Sequence, residues 1–169
     1  MKTTTFSQQT ATIHMTVNDD SAFLSPYAET GRPVIATEVA DFLENSANAY
    51  RPGEKLHLQI KSTCIDDEEK PRYTQAIANY FSLELEETNR NLKRKTVVSV
   101  IFTLIGILAL AFMFVCGKRE LNDLWIECID IFAWVFLWEA VDQFFIERSA
   151  LLMRRKRLKN FTEMKITYC

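Results

Sequence analysis

Four carboxylates inside an otherwise apolar stretch are the residues best able to carry chemistry in this chain of 169 residues. The stretch, 124–146, reads LWIECIDIFAWVFLWEAVDQFFI, and its acids are Glu127, Asp130, Glu139 and Asp142. At 100° per residue all four fall on one half of a helix, as two pairs with i, i+3 spacing. Like charges this close in a dry site favour a cation between them. The spacing predicts an intramembrane acidic face. This face lines a cation pathway, or it packs against another copy or reaches headgroup water, or it pairs with the basic residues of a partner protein.

Other patterns that signal catalysis are missing from the sequence. It contains no GxxxxGK[ST], GxGxxG, HExxH or GxSxG motif. His14 and His57 are predicted to lie on a sheet surface, because both occupy alternating strand positions, and the four cysteines lack zinc spacing. A lipid hydrolase built on the paired carboxylates would lack a nucleophile and a metal-binding histidine. We therefore predict no enzyme activity, no cofactor, no metal site and no nucleic-acid partner.

The element that anchors the chain is predicted by a charge-free run of 22 residues at 96–117. At helical rise it reaches ~33 Å, enough for a hydrocarbon core of ~30 Å. It is apolar all round, whereas a soluble helix carries a polar stripe. We predict transmembrane helix 1 here. Transmembrane helix 2 is predicted at 124–146, because its acids avoid the central residues 131–138, with a helix lying flat in the membrane interface as the alternative.

Basic residues flank the two predicted spans unevenly. Ten Lys and Arg lie beyond the outer ends, against two, Lys118 and Arg119, in the predicted external turn 118–123. The positive-inside rule then predicts a protein of the cell (inner) membrane with both termini in the cytoplasm. Nine of the ten form basic collars that are expected to contact headgroups of the lipid bilayer. The collar residues are Arg90, Lys93, Arg94, Lys95, Arg154, Arg155, Lys156, Arg157 and Lys159.

The rest of the sequence predicts a small cytoplasmic α+β domain of about three strands and two helices, joined to the transmembrane α-helical hairpin. Apolar and polar residues alternate at 11–17, at 55–63 and again at the end of the chain, as they do in half-buried strands. The predicted organisation is a flexible tail 1–10, a cytoplasmic domain 11–95 completed by a C-terminal strand 163–169, the hairpin, and a basic cytoplasmic helix 147–162.

Two helices are expected in the cytoplasmic domain. Thr37 is the expected N-cap of the first. The apolar positions of this first helix are Val39, Phe42, Leu43 and Ala47. The second helix begins after Asp66 or Asp67 and, because neither Gly nor Pro interrupts 72–105, is expected to continue into transmembrane helix 1.

The second span, with its tryptophan-rich segment AWVFLWEAVDQFFIE and the basic stretch after it, resembles that of bacterial two-span membrane proteins with a small cytoplasmic domain. The resemblance covers most of the chain from about position 55. It implies a soluble domain that leads into a helical hairpin, and it carries over no activity and no functional residue.

Charge divides the chain, because residues 1–89 carry 7 basic and 14 acidic side chains whereas residues 90–169 carry 13 and 8. The acidic part is repelled by an anionic leaflet and stays free to meet a cytoplasmic protein or a small ligand. The expected function is a non-enzymatic membrane protein that forms a homo-oligomer through its hairpin and presents a cytoplasmic binding or sensing domain. The alternative is an oligomeric cation channel or membrane-permeabilising effector lined by the four acids.

Overall fold

A computed structural model describes residues 11–29, 31–116 and 123–169 of the chain. The predicted tail, 1–10, and the predicted turn, 118–123 apart from its last residue, lie outside the described residues. The chain divides into two compact units. We call them the sheet unit, Met1–Glu87 with Arg155–Cys169, and the helical unit, Thr88–Arg154.

The described residues form three strands, four α-helices and one π-helical segment, which agrees with the predicted α+β class and the three predicted strands. In chain order these elements are β1 (Ala11–Val17), α1 (Thr37–Ala47), β2 (Leu56–Ser62), α2 (Lys70–Cys116), α3 (Asp123–Val141), the π-helical segment (Asp142–Glu147), α4 (Arg148–Thr162) and β3 (Lys165–Tyr168).

The three strands form a parallel sheet in the order β1-β2-β3. Leu58 is the Cα partner of Ile13 on one side and of Ile166 on the other, so apolar positions of all three strands share one face. Both crossovers advance in the same direction, and right-handed crossovers of this kind place their helices on one side of a sheet. The sheet therefore has one face in the core and one polar face.

Aromatic residues from two distant parts of the chain build the core of the sheet unit. Phe81 of α2 and Phe161 of α4 stack with ring centroids 4.2 Å apart and an interplanar angle of 7°. They are 0% and 2% exposed, respectively. Phe23, in the loop after β1, meets Tyr73 of α2 edge-on at 4.8 Å. The β1–α1 loop, α2 and α4 are thus joined through one core.

Two expectations for α1 are wrong. The helix begins at Thr37, but the N-cap residue is Ala36 and no side chain makes a capping hydrogen bond. Phe42, expected on the apolar face, is 43% exposed, because it lies ~100° around the helix from Leu43. The buried residues of α1 are Ala40, Leu43 and Ala47.

The residues after β2 form two long helical segments, Lys70–Cys116 and Asp123–Thr162. As expected, α2 runs without a break from Lys70 to Cys116. The predicted span 124–146 and the predicted basic helix 147–162 are continuous, since α3, the π-helical segment and α4 follow one another without interruption. Among the described residues, one helix, Lys70–Val115, is long and apolar enough to cross a membrane, and 11% of its most apolar stretch is buried.

We expect Phe161→Ala to lower the free energy of unfolding of the sheet unit by about 3–5 kcal/mol, because it removes a fully buried ring and leaves a cavity against Phe81. The measurement is urea-dependent proteolysis of the full chain in detergent. Phe42→Ala deletes the same ring from an exposed position and serves as the control. Equal losses for the two variants would contradict the assignment of Phe161 to the core.

Candidate functional site

Small residues line the contact between α2 and α3. Ser99 is 2% exposed, and its Oγ donates a hydrogen bond of 3.0 Å to the carbonyl of Ala140. One heptad further along α2, Gly106 lies against Ala133 and Leu137 of α3. Because the contact advances along α2 while it moves backwards along α3, the helices are antiparallel. The helical unit thus contains a tight helical hairpin, of the kind that small residues allow when backbones approach closely.

A Cβ atom at Gly106 would lie 2.7 Å from Cγ and 2.9 Å from Cδ2 of Leu137, and 3.4 Å from the carbonyl oxygen of Ala133. No larger residue fits there unless Leu137 moves. Phe102 and Phe136 meet edge-on at 5.6 Å beside this contact. The sequence reasoning missed these positions, although the sevenfold spacing of Ser99 and Gly106, matched by that of Ala133 and Ala140, was a signal for them.

The four acids lie away from this contact. Relative to Ala133, helical geometry of ~100° per residue puts Asp130 near 60°, Glu127 near 120°, Asp142 near 180° and Glu139 near 240°. Ala140, which faces α2, lies close to 0° on the same scale. Glu127 and Glu139 are exposed, and Asp130 and Asp142 are half-buried. Glu127, Asp142 and Glu139 therefore lie on the half of the helix that faces away from α2, and Asp130 lies nearer to the contact.

Large apolar side chains fill the middle of that outward half. Ile131, Trp134, Val135 and Trp138 are 65%, 61%, 60% and 72% exposed. Water would solvate such a surface poorly, whereas lipid or another helix would accept it. The acids occupy the two ends of this apolar belt, where helical geometry separates the two pairs by ~18 Å. One acid has a described partner, since Gln143 Nε2 donates a hydrogen bond of 2.9 Å to Glu139.

The predicted basic collars have mixed environments. Lys95 is half-buried in the helical unit, where its ammonium forms an ion pair with Glu147. In the sheet unit, Arg157 donates a hydrogen bond to the Asn48 side chain, and Lys159 lies 3.6 Å from Glu163. The remaining collar residues, Arg90, Lys93, Arg94, Arg154, Arg155 and Lys156, are exposed.

The polar face of the sheet, which none of the described helices covers, is a second candidate site, and we call it the open sheet face. The sequence analysis predicted His14 and His57 on a sheet surface but did not identify the residues that β3 adds to it. Two side-chain contacts on this face connect β2 to the end of the chain. His57 Nε2 lies 3.0 Å from Thr167 Oγ1, and Gln59 Nε2 donates a hydrogen bond of 2.9 Å to Cys169 Sγ. His14 is exposed on the same face. No acid is present among its nine positions although the unit is acidic overall. These positions are Thr12, His14, Thr16, His57, Gln59, Lys61, Lys165, Thr167 and Cys169.

A cleft of about 590 Å³ opens in the loop between β1 and α1, and its lining includes Glu29, Arg72 and Gln75. The loop is held to α2 by Tyr73, whose hydroxyl donates a hydrogen bond of 2.7 Å to Asp20. Burial, together with this hydrogen bond, raises the pKa of Tyr73 well above its usual range. Among the described residues no group of three His, Cys, Asp or Glu side chains is placed to hold a metal ion.

Comparison of the chain with protein-family models, with curated proteins and with solved structures finds no match. Conclusions about function therefore rest on the geometry of the hairpin and of the open sheet face.

Gly106→Val is expected to destabilise the hairpin by about 1–3 kcal/mol, because the added side chain must displace Leu137. The measurement is the thermal unfolding of the full chain in detergent. Ala111→Val enlarges an exposed residue of the same helix and is the control. A second variant, Gly106→Val with Leu137→Ala, should recover part of the loss. Unchanged stability of Gly106→Val would contradict the close contact.

Because the folded state raises the pKa of Tyr73, this residue stabilises the sheet unit fully below pH ~10, the ordinary tyrosine pKa, and progressively less above it. The urea midpoint should therefore fall between about pH 9 and pH 11, and fall less steeply in Tyr73→Phe. Burial also raises the pKa of Tyr168, so part of the slope should remain. Tyr27→Phe, at a position 95% exposed, should retain the full slope.

Proposed function

We propose that this chain is a non-enzymatic integral membrane protein that crosses the bilayer twice, self-associates through its hairpin and presents the sheet unit in the cytoplasm as a binding or sensing domain. The observation that carries the proposal is the pairing of β3 with β2, which brings the end of the chain back into the unit that α2 leaves.

Because β3 pairs with β2, one membrane-spanning helix would require a second. If α2 crosses a bilayer, the residues that follow it must cross back, because β3 completes the same sheet as β1 and β2. The returning segment contains α3, whose outward side chains are mostly exposed and apolar. The acids of the predicted span lie on either side of its apolar middle, nearer to the membrane surfaces, where the cost of a charge is lower. They are Glu127, Asp130, Glu139 and Asp142.

The direction of insertion follows from the basic residues. Ten lie beyond the outer ends of the two predicted spans, 96–117 and 124–146, and two lie in the sequence between them. The positive-inside rule then supports a cytoplasmic location for the sheet unit and for both termini. In that compartment the open sheet face, with Lys61, Lys165 and no acid, suits a partner or ligand that carries negative charge or hydrogen-bond acceptors.

Self-association is supported by the outward position of the acids. The described contacts between α2 and α3 are made by Ser99, Gly106 and their partners, and none of the four acids is among these residues. Carboxylates on a membrane-facing surface are costly unless another copy, a cation or headgroup water receives them. A homo-oligomer provides the first of these environments.

The second candidate function, a cation channel or membrane-permeabilising effector, is favoured by the arrangement of the acids in two pairs, one at each end of the outward apolar belt. In a ring of hairpins these pairs would form two acidic rings, which is how cation pathways are lined. Liposomes that contain the protein should then pass cations, and E139Q/D142N should alter the flux. Liposomes that remain tight with the wild-type protein would contradict this function.

We expect the wild-type chain to remain in membranes during alkaline carbonate extraction. A membrane-impermeant maleimide should label N122C from outside intact cells and reach Cys169 only after lysis. Release by carbonate, or labelling of Cys169 from outside, would contradict the two-span topology.

In lipid nanodiscs, native mass spectrometry should detect more than one copy per particle. E139Q/D142N should change the copy number, because it alters the outward acidic surface, whereas E86Q/E87Q removes two exposed acids of the sheet unit and should not. A wild-type monomer would exclude self-association and would indicate that the acids bind a different protein.

A further inference from the structure

A groove of about 350 Å³ runs along the helical unit, where α2 meets the end of α3 and the π-helical segment. Its walls include the apolar side chains Val100, Leu104, Val141, Phe144 and Phe145. Two hydroxyl groups also line it, but each donates within the hairpin: Ser99 to Ala140 at 3.0 Å and Thr103 to the Ser99 carbonyl at 2.8 Å. The groove consequently offers an occupant mainly hydrocarbon contacts.

One end of the groove is positively charged. The guanidinium carbon of Arg148 lies 4.7 Å from the ring centroid of Phe144, which lines the groove. The Nε atom of Arg148 is buried and has no hydrogen-bond partner among the described residues. The neighbouring charges of Lys95 and Glu147 pair with each other. Arg148 therefore provides a positive charge beside this end of the groove and an N–H group that has no acceptor among the described residues.

The distance along α2 from the ion pair of Lys95 to the far end of the groove matches the thickness of one leaflet. Lys95 lies one helical turn before Ser99 on the same side of α2, and from Lys95 to Leu104 the helix rises ~14 Å. Half of a bilayer core is ~15 Å thick. An amphiphile with one negative charge at one end and a hydrocarbon chain of that length has both the charge and the reach that the groove requires.

We propose that this groove binds one anionic phospholipid of the cytoplasmic leaflet, with the phosphate on the Arg148 guanidinium and an acyl chain between α2 and α3. The site rests on the proposed membrane location of the hairpin. It goes beyond a basic collar that attracts headgroups in general, because it assigns the headgroup to one residue and the chain to one groove. An occupied site would also hold the π-helical segment against α2.

The test is native mass spectrometry of the full chain in detergent, titrated in separate arms with phosphatidylglycerol, phosphatidylcholine and inorganic phosphate. The wild type should retain one phosphatidylglycerol in preference to phosphatidylcholine and should not retain phosphate alone. R148Q should weaken retention about tenfold, as expected for the loss of a charge-assisted contact. V100W should abolish retention by filling the groove.

Matched controls separate the site from general charge and hydrophobicity. R94Q removes the same charge from an exposed collar residue, and I107W adds the same ring to an exposed position outside the groove. Both should bind like the wild type. R148Q leaves the groove walls in place, so it decides the question even if V100W fails to fold.

Several results would overturn the site. These are equal retention of the two lipids, equal behaviour of R148Q and R94Q, retention of phosphate without lipid, or a second copy of the chain in the groove, seen as a dimer that V100W abolishes without any change in bound lipid. Carbonate extraction of the same preparations distinguishes the two proposals. A chain that stays in the membrane but shows no lipid preference refutes only the lipid site, whereas a chain released by carbonate refutes the proposed function.

Discussion

The pairing of β3 with β2 closes the sheet unit across more than 100 residues of chain. It joins residues as far apart as His57 and Thr167, which are 110 positions apart in the chain and only 3.0 Å apart between their side-chain atoms. Closing so long a loop costs little more entropy than closing a shorter one, because the cost grows with the logarithm of loop length. The stacked rings of Phe81 and Phe161 then join α2 and α4 in the core that the sheet completes. Any membrane crossing by α2 has to be compatible with this closure.

The side of α3 that packs on α2 and the side that faces away from it have different physical requirements. Close packing against α2 requires small residues, and Ala133 and Ala140, 0% and 4% exposed, meet that requirement. The carboxylates need water, a cation or a hydrogen-bond donor, and the hydroxyl of Ser99 in the contact with α2 already donates to the Ala140 carbonyl. Glu127 and Glu139 therefore remain exposed on the other half. The contact with α2 thus uses the small residues of α3, and exposed carboxylates remain outside that contact.

Much of the fold could be predicted from local patterns. Alternation at 11–17 and 55–63 located β1 and β2 to within a residue or so, because the period of two is a property of the extended chain itself. The absence of helix breakers predicted that α2 is unbroken. Thr37 and Phe42 were assigned wrongly because capping and burial depend on what packs around a helix, and several apolar residues of α1 competed for the inner face. The candidate site was predicted less well, since the open sheet face exists only after Lys165 and Thr167 lie beside β2.

Local patterns in the sequence were enough to predict an apolar helix long enough to cross a membrane, four carboxylates on one half of a second helix, and strands with one apolar face. These are properties of residues near one another in the chain, where helical and extended geometry fix which side chains share a face. The parallel direction of the strands, the position of Glu127 and Glu139 away from α2, and the position of Arg148 beside an apolar groove could be known only from the folded chain. Those facts arise from contacts between distant segments, and the energy of such contacts depends on the shape and charge of both surfaces at once.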